Sequence, residues 1–171
     1  KETANDLWVV AKRQIEAILS EAVDKNYLYS NTSYQFGGML ASIVFFDWAP
    51  VPLDTHAAIQ GCLPYAMDRC YDIARKLGKT EEVKTYPSTA KRLRSAGKLV
   101  VSGKDKQLSY TCTSWAIIGG LIDAQESRQA IRNIMTAKHV ITPGTPYANH
   151  FFVEAMLQCG MDAEARKYVE D

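Results

Sequence analysis

The side chains that could carry chemistry in this sequence fall in two places. In "TPYANHFFVEAML" (Thr145 to Leu157), Tyr147, His150 and Glu154 recur at helical spacing in an otherwise apolar stretch. Glu154 stands one turn after His150, and a desolvated carboxylate beside an imidazole can serve as a general base. The plain alternative is an i,i+4 pair with no chemistry. An H-x-x-x-E pair offers only two ligands, too few for a metal site, so no metal is expected. In "FFDW" (Phe45 to Trp48), Asp47 could bond a hydroxyl and Trp48 could offer a stacking face. Equally, Asp47 could cap a turn and Trp48 close over the core. His56 reads as an early helix residue, and Tyr110 and Trp115 as core. No nucleophile elbow, phosphate loop or dinucleotide fingerprint occurs, so no cofactor is expected.

The elements that must position these residues are helical. Asp6 to Val23 sets Leu7, Val10, Ala11, Ile15, Ile18 and Leu19 on one stripe, with charges opposite. A second helix is expected from Asp54 to Leu77, stopping at Gly78. Pro64 lies within it and predicts a kink or a late start near Cys62. Glu81 to Ala96 is polar, and Pro87 is expected to break it. Ser109 to Asp123 is apolar nearly all round, with Gly119 and Gly120 allowing close contact. Ala124 to Ala137 is amphipathic. Pro146 to Cys159 has Thr145 as N-cap, Pro146 at its first position and Gly160 beyond its end. Met161 to Asp171 closes the chain. Only "ASIVFF" and "GKLVV" suggest short strands.

Apolar and amphipathic helices therefore alternate, which predicts an inner buried layer and an outer layer exposed on one face. If neighbours are antiparallel, the inner helices all begin at one end. "FFDW", "SYTCTSW" and "TPYANH" precede or open those helices and would then rim one concavity. Aromatic faces beside carboxylates suit a carbohydrate, whose rings have apolar faces and many hydroxyls.

Size and composition fit that picture. The 171 residues form one domain by length, or part of a larger one. Twenty basic and 19 acidic residues leave a net charge of +1, which argues against nucleic acid or a polybasic membrane surface as partner. The longest apolar run, Met39 to Phe46, is too short to span a bilayer. Cys62, Cys70, Cys112 and Cys159 form no C-x-x-C and read as small buried hydrophobes. The sequence starts at Lys1 without an initiator methionine, so a leader or upstream domain can precede it.

In this order and spacing, five segments resemble the catalytic region of the bacterial α-L-rhamnosidases: "WVVAKRQIEAI" (Trp8 to Ile18), "FFDWAPVPLDTHAAIQG" (Phe45 to Gly61), "DIARKLGK" (Asp72 to Lys79), "TSWAIIGGLID" (Thr113 to Asp123) and "TPYANHFFVEAMLQCGMDAEARKYVED" (Thr145 to Asp171). The resemblance implies an all-α fold, an (α/α)6 barrel of six hairpins of which residues 1–171 are about half. It implies removal of terminal α-L-rhamnosyl residues with inversion and without cofactor, with a rhamnose-containing carbohydrate as partner. In that reading Glu154 is the base or a nearby substrate carboxylate. Asp47 binds sugar hydroxyls, Trp48 and Tyr147 meet apolar sugar faces, and His150 orients Glu154 or binds a hydroxyl. The family's acidic cluster (D-x-P-x-R-x-x-R-x-G-W), expected to hold the general acid, and its "YWG…G-x-T-x-W-E" block are not in these residues. The segment alone is thus expected to be inactive, and to self-associate through exposed apolar helix faces. Two other readings stand beside this one: another (α/α)6 carbohydrate enzyme, such as a uronyl or glucoside hydrolase, and a non-catalytic helical scaffold.

Overall fold

A computed structural model describes residues 2–29, 55–102 and 108–170. Asp47, Trp48 and the "ASIVFF" run lie outside these residues, as does the side chain of His56. The elements are α1 (Glu2–Ala22), α2 (Thr55–Leu77), a 3-10 turn (Thr80–Val83), α3 (Tyr86–Ser102), α4 (Tyr110–Ile118), α5 (Ala124–Thr136), α6 (Pro146–Gln158) and α7 (Asp162–Glu170). No strand occurs among the described residues, only single bridges joining Val23 to Tyr29 and Ser109 to Ile141. The fold is an all-α arrangement of helical hairpins.

Layering follows the alternation of apolar and amphipathic segments. α2 packs on α3 and α4, and α4 packs on α6. Of the nine residues of α4 only Thr113 is not buried, so this helix is enclosed on all sides. α1, α3, α5 and α7 flank the inner three.

Helix ends are set by local chemistry. α2, α4 and α6 each run into a glycine at positive φ: Gly78 (73°), Gly120 (73°) and Gly160 (67°). Beyond each glycine the next amide reaches back: Lys79 N to Ala74 O (2.8 Å), Leu121 N to Ala116 O (2.8 Å) and Met161 N to Met156 O (3.0 Å). These are Schellman closures, which satisfy carbonyls that a helix end leaves open. α4 therefore stops at Ile118, short of the expected Asp123. Asp123 instead caps α5, where its side chain and that of Glu126 form a capping box.

Three expectations are corrected. Pro64 lies inside a continuous α2 that starts at Thr55 and not near Cys62; the amide it lacks leaves only the Gln60 carbonyl without its helical donor. Pro87 does not break α3 but sits in its first turn, where no intrahelical acceptor exists for a missing N–H. "GKLVV" is not a strand; it completes α3. The face of α1 also differs: Trp8, Ile15 and Ala22 are buried, whereas Leu7 (59%), Val10 (52%) and Ile18 (37%) stay exposed. A helix 21 residues long with apolar side chains on two faces can bury only the one that meets α2 and the 3-10 turn.

Buried polar groups fix the layers to one another. The Gln60 side chain, 1% exposed, donates to Tyr27 O and Leu93 O, both at 2.9 Å, and accepts from Tyr29 N at 2.8 Å. One amide thus ties the stretch after α1 to α2 and α3, and it helps hold Tyr27 at φ 62°. Arg94 of α3 pairs with Asp68 of α2 and donates from Nε to Gly119 O (2.8 Å) at the end of α4. Glu82 receives Trp8 Nε1 and Lys12 Nζ, each at 3.0 Å, which pins α1.

Space between α2 and α4 is exhausted at Gly61, where an added Cβ would meet Trp115 O at 2.1 Å and Trp115 C at 2.5 Å. Gly61→Ala should cost about 3 kcal/mol or more, at or above the upper end of overpacking. Gly78 has open space around it but a φ of 73°, so Gly78→Ala should cost about 1–2 kcal/mol from backbone strain alone. Urea unfolding of both variants measures the difference, and equal losses would contradict the packing described. The Trp8 and Lys12 hydrogen bonds hold the Glu82 carboxyl below its ordinary range. Its contribution is therefore present above the unfolded value of about 4.3 and lost as pH falls through the lower folded one. Thermal melts of Glu82→Gln against wild type should converge below that window and separate above it.

Candidate functional site

Tyr147, His150 and Glu154 do share one face of α6, and the residue that gathers that face is Phe151. Its ring meets Tyr147 edge-on (centroids 4.7 Å), His150 edge-on (5.1 Å) and Trp115 of α4 at a tilt (4.4 Å). Trp115 in turn meets Tyr65 of α2 (6.0 Å), and the Arg69 guanidinium lies over the Tyr65 ring at 5.5 Å. An aromatic wall thus crosses all three inner helices. Tyr147 is 52% exposed and His150 is exposed, while Trp115, at 3%, is the buried backing.

Glu154 lies half-buried two turns along from Tyr147 on the same face. Its partner is Gln158, whose Nε2 donates to Oε1 at 3.2 Å, rather than His150. Burial pushes the Tyr147 hydroxyl above its ordinary range, and the Cys62 thiol adds to this. Burial alone pushes that thiol up to about 11. All four cysteines are free.

The starts of the inner helices meet at one end. Tyr110 N donates to Ile141 O (3.1 Å) and Ile141 N to Leu108 O (2.8 Å), which joins the start of α4 to the lead-in of α6. Ala57 and Cys112, the third residues of α2 and α4, line one cavity. The leads into α4 and α6 are therefore side by side, but no residue of "TPYANH" lines the cavity that Ala57 and Cys112 share; the third segment, "FFDW", lies outside the described residues. Tyr110 and Trp115 are core, as read from the sequence. Phe151, Tyr65 and Arg69 were missed. Phe151 had a signal, since it falls four residues after Tyr147 and three before Glu154.

The cavity that Ala57 and Cys112 line, about 540 Å³, lies between α3, α4 and α5 with the start of α2 at its edge, and none of the wall's residues lines it. Among the described residues its lining is mainly aliphatic (Leu99, Val101, Leu108, Leu121, Ile122, Ile134) and includes no aromatic ring. Of its carboxylates, Asp123 and Glu126 are already engaged in the α5 cap. The aromatic wall is the better match to a ligand with hydroxyls and apolar ring faces. Among the described residues no three His, Cys, Asp or Glu side chains gather as a metal site, and no helix is long and apolar enough to cross a membrane.

Among solved structures, the chain is similar to a rhamnosidase from Klebsiella oxytoca with rhamnose bound, at a TM-score of 0.78 and 27% sequence identity over 96% of this chain. The chain has a rhamnosidase-like fold. It spans about a third (32%) of the length of that solved rhamnosidase. No protein-family model and no curated protein sequence matches it. The rhamnosidase-like assignment therefore rests on the course of the helices together with the motifs they carry.

A thiol titrating at about 11 is ionised to about one part in a thousand at pH 8, against about a quarter for an ordinary cysteine. Alkylation of Cys62 by iodoacetamide, followed by mass spectrometry, should accordingly run about 250-fold slower than for a free thiol from ionisation alone, and quicken up to about pH 11. A wild-type rate like that of a free thiol would mean that Cys62 is not shielded as described.

Proposed function

We propose that residues 1–171 are part of an (α/α)6 catalytic domain of a larger glycoside hydrolase that removes terminal α-L-rhamnosyl residues. The observation that carries this reading is the aromatic wall with Glu154 beside it, in a fold whose solved neighbour is a rhamnosidase with rhamnose bound. Apolar exposure along α1, at Leu7, Val10 and Ile18, supports further helical layers against that edge, or self-association through it.

In this proposal the sugar lies against Tyr147, with His150 bonding a hydroxyl. Asp47 and Trp48 add a second hydroxyl contact and a second apolar face. Glu154 is the base: it takes a proton from a water that attacks the anomeric carbon on the face opposite the leaving oxygen. A carboxylic acid from outside these residues gives its proton to that oxygen as the glycosidic bond breaks. Such an inverting pair needs about 6.5–9.5 Å between carboxyl groups to admit the water. The position of Glu154 on the open face of α6, two turns along from Tyr147, supports its role, because a base must stand beside the bound sugar.

Hydrolysis of a chromogenic α-L-rhamnoside by the intact protein tests this. Glu154→Gln should lower kcat by about a hundredfold or more, in keeping with the weight of a positioned base. An active wild type with an unaffected variant would return Glu154 to a structural role. No activity on rhamnosides, with activity on other glycosides, would move the protein to another carbohydrate class.

A further inference from the structure

If the sugar meets Tyr147 and His150, as the proposed function has it, then its contacts stand in the first turn of α6. The first amides of a helix lack intrahelical acceptors, so a first turn frays unless something outside the ladder holds it. Here local bonds supply part of the hold. Thr145 Oγ1 accepts from Ala148 N (3.2 Å), and Thr145 O accepts from Asn149 N (3.2 Å) and Asn149 Nδ2 (3.0 Å).

One further bond comes from another helix. The Tyr168 hydroxyl of α7 donates to Asn149 Oδ1 at 2.5 Å, and Asn149 lies between Tyr147 and His150 in the chain. Tyr168 is itself held on two sides, stacked with Tyr110 of α4 (6.1 Å, 25°) and edge-on to Phe152 of α6 (5.0 Å, 70°). Tyr110 also meets Phe152 at 4.5 Å, so the three rings form a closed post. Burial, and after it Tyr110, pushes the Tyr168 hydroxyl above its ordinary range.

We infer that Tyr168 is a positioning residue: its hydroxyl, acting through Asn149, fixes the first turn of α6 and with it the places of Tyr147 and His150. Neither Tyr168 nor Asn149 touches the sugar in this arrangement. Asn149 passes the constraint on, because its Oδ1 is held by Tyr168 while its Nδ2 and backbone N both hold Thr145 O. A side chain anchored at both ends of its amide leaves the turn little freedom to rotate. The two exposed rings lean on Phe151 alone among the described aromatic contacts, so their direction depends on the backbone beneath them.

The test uses the intact protein as wild type, Tyr168→Phe, Asn149→Ala and, as a control for lost core packing, Ile131→Val in α5. Tyr168→Phe keeps the ring contacts and removes the bond alone; Asn149→Ala removes it from the other side should the first variant fold poorly. Amide exchange read by mass spectrometry should quicken about three- to tenfold over the first turn of α6 in both variants, the range that one lost hydrogen bond allows. α4 and α5 should be unchanged. On a chromogenic rhamnoside KM should rise by a similar factor with kcat within about twofold, while Ile131→Val lowers the melting temperature without moving KM. Unchanged exchange over the turn overturns the inference, and so does quickened exchange with an unchanged KM in an active wild type. A wild type that hydrolyses no rhamnoside sinks the proposed function separately. Exchange then decides the role of Tyr168 by itself: quickened upholds it and unchanged overturns it.

Discussion

Between α2 and α4 no side chain separates the two backbones. A β-carbon on Gly61 would strike the Trp115 carbonyl, and one on Gly119 would stand 2.2 Å from Gly61 O. Two glycines, Gly61 within α2 and Gly119 at the C-cap of α4, allow an approach that any other pair of residues would forbid. That approach sets where Trp115 lies against Tyr65 on one side and Phe151 on the other, and so how the three inner helices fan out. The aromatic wall follows from it, because its rings come from three helices and share no local sequence.

Once the inner helices touch, their remaining freedom is rotation and sliding, and the outer layer removes it with few but well-satisfied polar groups. Gln60 answers three backbone partners at once, and Arg94 joins α3 both to Asp68 and to the end of α4. Groups of this kind add little net stability, yet they are costly to misplace, since a buried amide or carbonyl left alone loses its full solvation. They favour one arrangement over its near neighbours. On the far side the Tyr110, Phe152 and Tyr168 post does the same for α6 with rings in place of amides.

The division of labour on α6 is therefore by face. Ala148, Phe152, Ala155 and Met156 are buried and carry the packing. Tyr147, His150, Phe151 and Glu154 point to the open side, where an aromatic surface and a carboxylate stand together. Asn149 lies between the two faces and reaches the outer layer. A helix can serve packing, anchoring and chemistry together because the 3.6-residue period separates the three sets of side chains.

The sequence by itself determined the helical class, the alternation of apolar and amphipathic segments, and most helix ends. These depend on local matters: periodicity, Thr145 as a cap, and Gly78 and Gly160 as stops. It also put Tyr147, His150 and Glu154 on one face, since their spacing fixes that within any helix. Local reading failed where a residue had two uses. Gly120 looked like a contact glycine and is a helix stop; Pro64 suggested a kink or a late start near Cys62, and the helix is already formed from Thr55. It also misjudged α1, where Leu7, Val10 and Ile18 are as apolar as Trp8 and Ile15, and only the neighbours available decide which stripe is buried. Which rings back the site, that Gln158 and not His150 holds Glu154, and that Tyr168 reaches Asn149 were decided by tertiary structure alone. Those contacts join residues from separate helices or choose among rotamers of one helix, and neither the distance nor the choice is written in a linear pattern.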